Sequence, residues 1–268
     1  MQNSTVMSIV NRVFIRGDTH GDFEWLSEWC RENETTTNDI LILLGDHALR
    51  FEGANKPREL HRKELVAAQP ITIFALRGNH DRPYYKEDGT VWEDIELIEC
   101  SLLDNRDAGG FLFFEDKMWH DKDFPNIWYF QDGKEYFIKN KNFFTYGGAY
   151  SVDKEWRQLM HWTWYPNEIV SSGEHAATLD IVDNHHFNYV LTHTCPTDWQ
   201  PVDLFMRGLD QSKVDSTMEE YLDDVLRYIG GYDYWYFGHY HANRDCGKMG
   251  EYGNGETIML FDEIRRIL

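Results

Sequence analysis

Apolar residues in this chain come in short, dense runs, and each run stops at a glycine or a polar turn. Val10, Val13, Phe14 and Ile15 lead into Gly17, the pattern of a strand meeting a turn, here expected over 9–15. Ile40-Leu41-Ile42-Leu43-Leu44 ends at Gly45, and the run from Ile71 to Leu76 ends at Arg77-Gly78. Continuous runs of this length, without polar alternation, predict strands buried on both faces. Between them Phe23, Leu26 and Trp29-Cys30 recur at helical spacing over 23–31, and a polar, helix-compatible stretch covers 56–68. The first third therefore reads as strand, helix, strand, helix, strand.

The middle, about 84–165, changes character. Phe111-Leu112-Phe113-Phe114, the stretch 127–130, Tyr136-Phe137-Ile138 and Phe143-Phe144-Thr145-Tyr146 are short aromatic runs separated by Asp, Gly, Asn and Lys. They predict antiparallel strands continuing into a second sheet, with Asp132-Gly133 as a hairpin signal. Beyond them the pattern predicts a helix over 168–184, a strand over 188–191 that delivers His193, and a helix over 217–229 with acids near its start. A strand over 232–237 then runs into Gly238-His239, and 257–261 reads as a closing strand. Without repeats, low-complexity tracts or clear linkers, residues 1–268 read as a single domain of α/β (α+β) class.

Charge narrows the partners. The 268 residues carry a formal net charge of -20 and no clustered run of Lys and Arg. A field of that sign repels phosphate backbones and anionic membranes, so long nucleic acid is disfavoured as a substrate. The 10 Trp, 15 Tyr and 16 Phe fill cores and line pockets and do not by themselves indicate a function. Cys30, Cys100, Cys195 and Cys246 are isolated, as reduced thiols of a cytoplasmic protein would be. Met1-Gln2-Asn3-Ser4-Thr5 has no basic start or apolar stretch of a signal peptide, and no run approaches the ~20 apolar residues of a membrane span.

The chemistry sits at the ends of the runs. Gly17-Asp18-Thr19-His20, Gly45-Asp46, Gly78-Asn79-His80-Asp81, Thr192-His193 and Gly238-His239-Tyr240-His241 each follow an apolar stretch. In open α/β sheets ligands bind outside the carboxyl ends of strands, where these residues fall. Asp18 and His20 are two apart, so they leave one face if the backbone stays extended. Carboxylate oxygen beside imidazole nitrogen suits Mn, Fe or Zn. Asp46 has two oxygens with which to bridge two ions, Asn79 offers a neutral oxygen, and His80 is a candidate proton donor. Together these side chains can hold two divalent ions, the arrangement that clamps the attacking and leaving oxygens of a phosphoryl centre.

In that order the segments resemble the calcineurin-like metallophosphoesterase superfamily, over nearly the whole chain from Gly17 to His241. The resemblance implies a β-sandwich flanked by helices. It implies one metal held by Asp18, His20, Asp46 and His241, and a second by Asp46, Asn79, His193 and His239, with Asp46 bridging. Water activated by the ions would attack phosphorus, and His80 would protonate the leaving oxygen as general acid. Arg50, four residues after Asp46, matches the phosphate-binding arginine of the protein-phosphatase-like branch, whose planar donors fork onto phosphate oxygens. That branch has an Asp beside this Arg to orient its catalytic histidine; here the position is Leu49, and Asp81 is the residue left to steady His80.

The expected activity is a metal-dependent phosphomonoesterase acting on a phosphorylated protein or small metabolite, with manganese as the favoured ion. A phosphodiesterase or nucleotide hydrolase using the same site is the alternative, and a non-catalytic binding module is the reading that the complete residue set argues against. Two features stand outside this scheme. The stretch 147–157 offers Arg157 as a second phosphate contact, and Trp162, Trp164 and Tyr165 offer either a substrate wall or an aromatic core corner. The acids Glu219, Glu220, Asp223 and Asp224 read as a solvated helix face.

Overall fold

The computed structural model describes residues 10–51, 56–99, 112–113, 117–205, 208, 210–249 and 254–268. Its first elements are β1 (Val13–Arg16), α1 (Leu26–Glu32), β2 (Ile40–Leu43), α2 (Pro57–Ala67) and β3 (Thr72–Ala75). Next come β4 (Ile95–Glu99), β5 (Leu112–Phe113), β6 (Lys117–Asp121), β7 (Ile127–Tyr129), β8 (Lys134–Ile138) and β9 (Lys141–Tyr146). The last part adds α3 (Lys154–Leu159), α4 (Ser172–Val182), β10 (His186–Thr192) and α5 (Thr217–Tyr228). It closes with β11 (Gly231–Phe237), β12 (Arg244–Gly247), β13 (Glu256–Met259) and β14 (Arg265–Arg266).

The strands form two seven-stranded sheets, ordered β14-β1-β2-β3-β7-β6-β4 and β12-β13-β11-β10-β9-β8-β5. The centre of each is parallel: β1, β2, β3 and β7 in one, β9, β10, β11 and β13 in the other. Alternation along the strands sorts the side chains into layers. Val13, Ile15, Ile42 and Phe74 meet Phe143, Leu191, Tyr236 and Ile258 in a core between the sheets. Phe14, Leu41, Leu43 and Ile73 point the other way, onto Leu26 of α1 and Val66 of α2. On the far side Phe144, Val190, Trp235 and Met259 pack on Val182 of α4 and on Leu222 and Val225 of α5. Each central strand is thus covered on both faces, which is why its sequence is apolar throughout. At roughly 1.5–3 kcal/mol per fully buried large apolar side chain, these layers are the main force holding the sandwich. Among the described residues no helix is long and apolar enough to cross a membrane.

Most expected elements fall within a few residues of their ranges, and three differ. Asp132-Gly133 is not a hairpin, because β7 belongs to one sheet and β8 to the other. Asp132 is instead an anchor: its Oδ2 accepts from Arg77 Nε at 3.0 Å and its Oδ1 from the Gly147 N–H at 2.9 Å. The hairpin lies at Lys139-Asn140 between β8 and β9, where both residues have positive φ, 50° and 60°, as a tight turn matched to strand twist requires. The helix expected from residue 168 begins after Ser171, which forms a reciprocal capping box with Glu174. Glu168 is left in the preceding loop, buried. Finally, the strand over 257–261 is not the last, since β14 follows and pairs antiparallel with β1. Residues 9, 111 and 114 of two expected strands lie outside the described residues.

Candidate metal centre

Parallel register brings the five segments to one edge of the sandwich. Arg16 pairs with Leu43 and Leu43 with Ala75, so Asp18, Asp46 and Asn79 leave their strands at nearly one level. Thr192 pairs with Phe237, which does the same for His193 and His239. Backbone bonds tie the loops: the His20 N–H donates to Asp46 O at 2.8 Å, and the Gly238 N–H to His193 O at 2.9 Å.

The turns are sharp. His20, Asp46, His239 and His241 have φ of 47°, 46°, 67° and 51°, a left-handed conformation that costs residues with a Cβ about 1–2 kcal/mol each. Asp18 and His20 therefore converge through a turn and not, as their spacing suggested, from one face of an extended strand. Glycines of one segment make room for carboxylates of another. A Cβ on Gly78 would stand 2.1 Å from Asp46 Oδ1, and one on Gly238 would stand 2.4 Å from Asp18 Oδ1.

Ring nitrogens and carboxylate oxygens crowd together here. His20 Nε2 lies 2.8 Å from His241 Nε2, and the two nitrogens lie 3.8 and 3.4 Å from Asp18 Oδ2. That oxygen is buried and has no hydrogen-bond partner, while Oδ1 of the same carboxylate accepts the His239 N–H at 3.0 Å. His193 Nδ1–H donates to Leu44 O at 2.7 Å, which leaves the Nε2 lone pair facing Asn79 Oδ1 at 2.9 Å and Asp46 Oδ1 at 3.6 Å. Buried acceptors that face one another, as His193 Nε2, Asn79 Oδ1 and Asp46 Oδ1 do, repel unless a cation lies among them. The donor set fits a divalent metal on that ground.

Two groups of potential ligands have all their donor atoms within 4.8 Å of one another: Asp18, His20 and His241, and Asp18, Asp46 and His193. Asp18 is common to both, where the family resemblance gave the shared place to Asp46 alone. His239 stacks edge-on beside His193, with ring centroids 5.0 Å apart. Electrostatics favour the unprotonated form of Asp46, His239 and His20. Burial opposes ionisation of Asp46, but the imidazoles of His193, His80 and His20 outweigh it and hold the carboxyl below its ordinary value. Burial and the neighbouring His193 push His239 down to about 3, and burial lowers His20. Only His241 is raised, by the Asp18 carboxylate beside it.

A model of the calcineurin-like phosphoesterase family matches residues 12–243, a span that contains all five segments. The chain belongs to the calcineurin-like phosphoesterase family. Members of this family are metal-dependent phosphoesterases, and the ligand groups described above are consistent with that chemistry. A comparison with curated proteins finds no match.

In this calcineurin-like phosphoesterase His80 stands in a cleft of about 410 Å³ with Asp46, Asn79, His239 and His241. Its Nε2 is 3.7 Å from Asp46 Oδ2, 3.4 Å from Asn79 Nδ2 and 3.4 Å from Arg157 Nη2. Arg157 is held in place by Asp153 at 2.7 Å and Thr163 O at 3.3 Å. The structure thus brings Arg157 to the site.

Arg50 goes elsewhere, which corrects the expectation of a phosphate fork. It is 1% exposed, its Nη2 donates to Pro83 O at 3.2 Å, and its guanidinium lies over the rings of Tyr84 and Tyr129. It packs behind the site and does not line the cleft. Leu49 is buried in the same apolar layer. Asp81 binds backbone: it accepts the N–H groups of Ala48 at 2.9 Å, Gly78 at 2.8 Å and His47 at 3.3 Å. Its remaining partner is His47 Nε2 at 3.4 Å, so none of its bonds reaches His80.

The aromatic wall also comes from other residues. Trp162 is exposed, Trp164 donates to Glu168, and Tyr165 donates to Phe51 O. The cleft is walled by Tyr150, Val152, Leu204, Phe205 and Tyr240. Tyr240 was legible inside the Gly-His-x-His segment; Leu204 and Phe205 lie in and just after a short turn of helix that has no periodic signal. Glu219 is not solvated: it is buried, lines the cleft and accepts from Thr194 Oγ1 at 2.8 Å. Its place beside Met218 and Leu222 on the apolar stripe of α5 was the signal that could have found it.

Proposed function

We propose that this chain is a dinuclear-metal-dependent phosphomonoesterase acting on a phosphorylated protein or small metabolite. The observation that carries the reading is the meeting of buried acceptors of Asp18, Asp46, Asn79 and His193 beside the ring nitrogens of His20 and His241. Asp18, His20, Asp46 and His241 would hold one ion, and Asp46, Asn79, His193 and His239 the other. Mixed oxygen and imidazole donors suit Mn, with Fe or Zn as the alternatives. Bound ions supply Lewis acidity to the phosphoryl group and to the attacking water.

The chain's own residues do the rest. His80, which lines the cleft, donates the proton that the departing oxygen needs. Arg157 presents its guanidinium beside His80, which favours a dianionic monoester over a monoanionic diester. Asp153, Asp215 and Glu219 on the cleft wall disfavour substrates that carry further phosphates. One observation supports a second reading. Phe205 and Tyr240 stack with centroids 6.5 Å apart, a surface on which a nucleotide base can lie.

Hydrolysis of p-nitrophenyl phosphate and bis-p-nitrophenyl phosphate by metal-stripped protein, with Mn²⁺ restored, separates these readings. Metal-dependent preference for the monoester is the expected result. Preference for the diester supports the nucleotide reading, and no turnover of either by the metal-loaded protein contradicts both.

A further inference from the structure

The segment between β9 and α4 supplies Arg157 to His80, and it also reaches the residue before His80. Ser151 Oγ lies 2.9 Å from Asn79 Nδ2 and 2.6 Å from Glu168 Oε2. Glu168 accepts two further bonds, from the Ser151 N–H at 3.1 Å and from Trp164 Nε1–H at 2.9 Å. Asn79, Ser151 and Glu168 are 3%, 1% and 2% exposed, so water does not compete for these bonds.

We propose that Ser151 and Glu168 are positioning residues that fix the direction of the Asn79 amide, turning its oxygen and not its nitrogen toward the metals. The inference rests on the metal reading above, and a count of protons leads to it. An ionised carboxylate can only accept, so Glu168 takes the single hydroxyl proton of Ser151. Ser151 Oγ then has only lone pairs left for Asn79, which must turn its NH₂ toward them. Asn79 Oδ1 is thereby aimed the other way, 2.9 Å from His193 Nε2. The proton of His193 is already committed to Leu44 O, so its lone pair points at the same place. A flipped Asn79 would set oxygen against oxygen at Ser151 and present an NH₂, which cannot ligate, to the ions.

The relay is anchored from behind. Arg77, two residues before Asn79, donates to the Glu168 carbonyl at 2.8 Å and is itself held by Asp132 at 3.0 Å. Glu168 and the Asn79 loop therefore keep a fixed relation. A partner one step removed from a metal ligand typically changes affinity by about 10–100-fold when it is lost.

The test is calorimetric titration of Mn²⁺ into metal-stripped full-length protein, comparing wild type, Ser151→Ala, Glu168→Leu, Asn79→Ala and the Ser151→Ala/Asn79→Ala pair. Glu168→Leu keeps much of the volume but removes the acceptor, which frees the Ser151 proton to turn toward Asn79. Ser151→Ala and Glu168→Leu should each weaken one of two Mn²⁺ equivalents about 10–100-fold and leave the other nearly unchanged. Ser151→Ala should add nothing once Asn79 is alanine. If Ser151→Ala does not fold, Glu168→Leu carries the same test. Unchanged affinities in both single variants, equal loss of both equivalents, or an additive effect in the pair would overturn the relay alone. A wild type that takes up no Mn²⁺ would overturn the metal reading, and the relay with it.

Discussion

Nε2 of His20 stands 2.8 Å from Nε2 of His241, with Asp18 Oδ2 close to both. Two imidazole lone pairs at that distance need a shared proton or a cation between them. Two divalent ions, one at each place, would relieve this contact and the His193–Asn79 contact. Saturating Mn²⁺ at about 100 times its dissociation constant should add roughly 2.7 kcal/mol of stability for each ion bound. For a chain of this size that is on the order of 5–10 °C in Tm. Thermal unfolding with Mn²⁺ and with a chelator measures it, and coincident curves would contradict metal binding at the site.

His80 faces the cleft without serving as one of the seven proposed ligands. His80→Asn should lower kcat by roughly 10²–10⁴-fold while Mn²⁺ stoichiometry stays at the wild-type value. Metal analysis of the same preparation used for kinetics decides the point. Metal and activity lost together would remove His80 from the proton-donor role.

The two arginines should behave oppositely. Arg157, beside His80, should raise KM for a phosphomonoester about tenfold when replaced by alanine, the loss of one charge-assisted contact. Arg50, buried between Tyr84 and Tyr129, should cost about 2–4 kcal/mol of stability as Arg50→Ala. Its KM should stay unchanged. Urea unfolding alongside steady-state kinetics separates the two effects.

Asp81 clasps the 45–48 turn to the 78–81 turn through backbone N–H groups. Asp81→Ala leaves those buried donors without an acceptor, at about 1–3 kcal/mol apiece. Stability and Mn²⁺ affinity should fall together, as equilibrium unfolding and metal titration would show. Lost activity at full stability and full metal content would instead give Asp81 a direct part in the chemistry.

Gly78→Ala tests the close approach of the loops. Its new Cβ would collide with Asp46 Oδ1 at 2.1 Å, so Asp46 must move from its place. Metal content of the purified variant should drop by at least one equivalent. Full occupancy would mean that the turn adjusts without disturbing the site.

Much of this site was legible because the sequence marks strand ends twice, by an apolar run and by the glycine or turn that stops it. Asp18, Asp46 and Asn79 in one sheet and His193 and His239 in the other follow such runs, and parallel register brings each set level within its sheet. What the pattern could not carry depends on direction and on distant partners. Arg50 sits at the family's offset, yet Leu49 on the apolar face turns that turn of chain into core. Asp132-Gly133 has hairpin composition, but Asp132 is committed to Arg77, 55 residues away. Ser151 and Glu168 lie in irregular chain, where no periodicity announces a buried bond to Asn79. Glu168 was further hidden by its nearness to α4, whose true start only the Ser171 and Glu174 box reveals.

The central claim is that seven side chains from five strand ends hold two ions. Titrating metal-stripped protein with Mn²⁺, with bound metal counted by mass spectrometry, tests it most directly. The expected result is two equivalents in the wild type, with His241→Ala and His193→Ala each losing one. A wild type that binds one equivalent or none would contradict the claim.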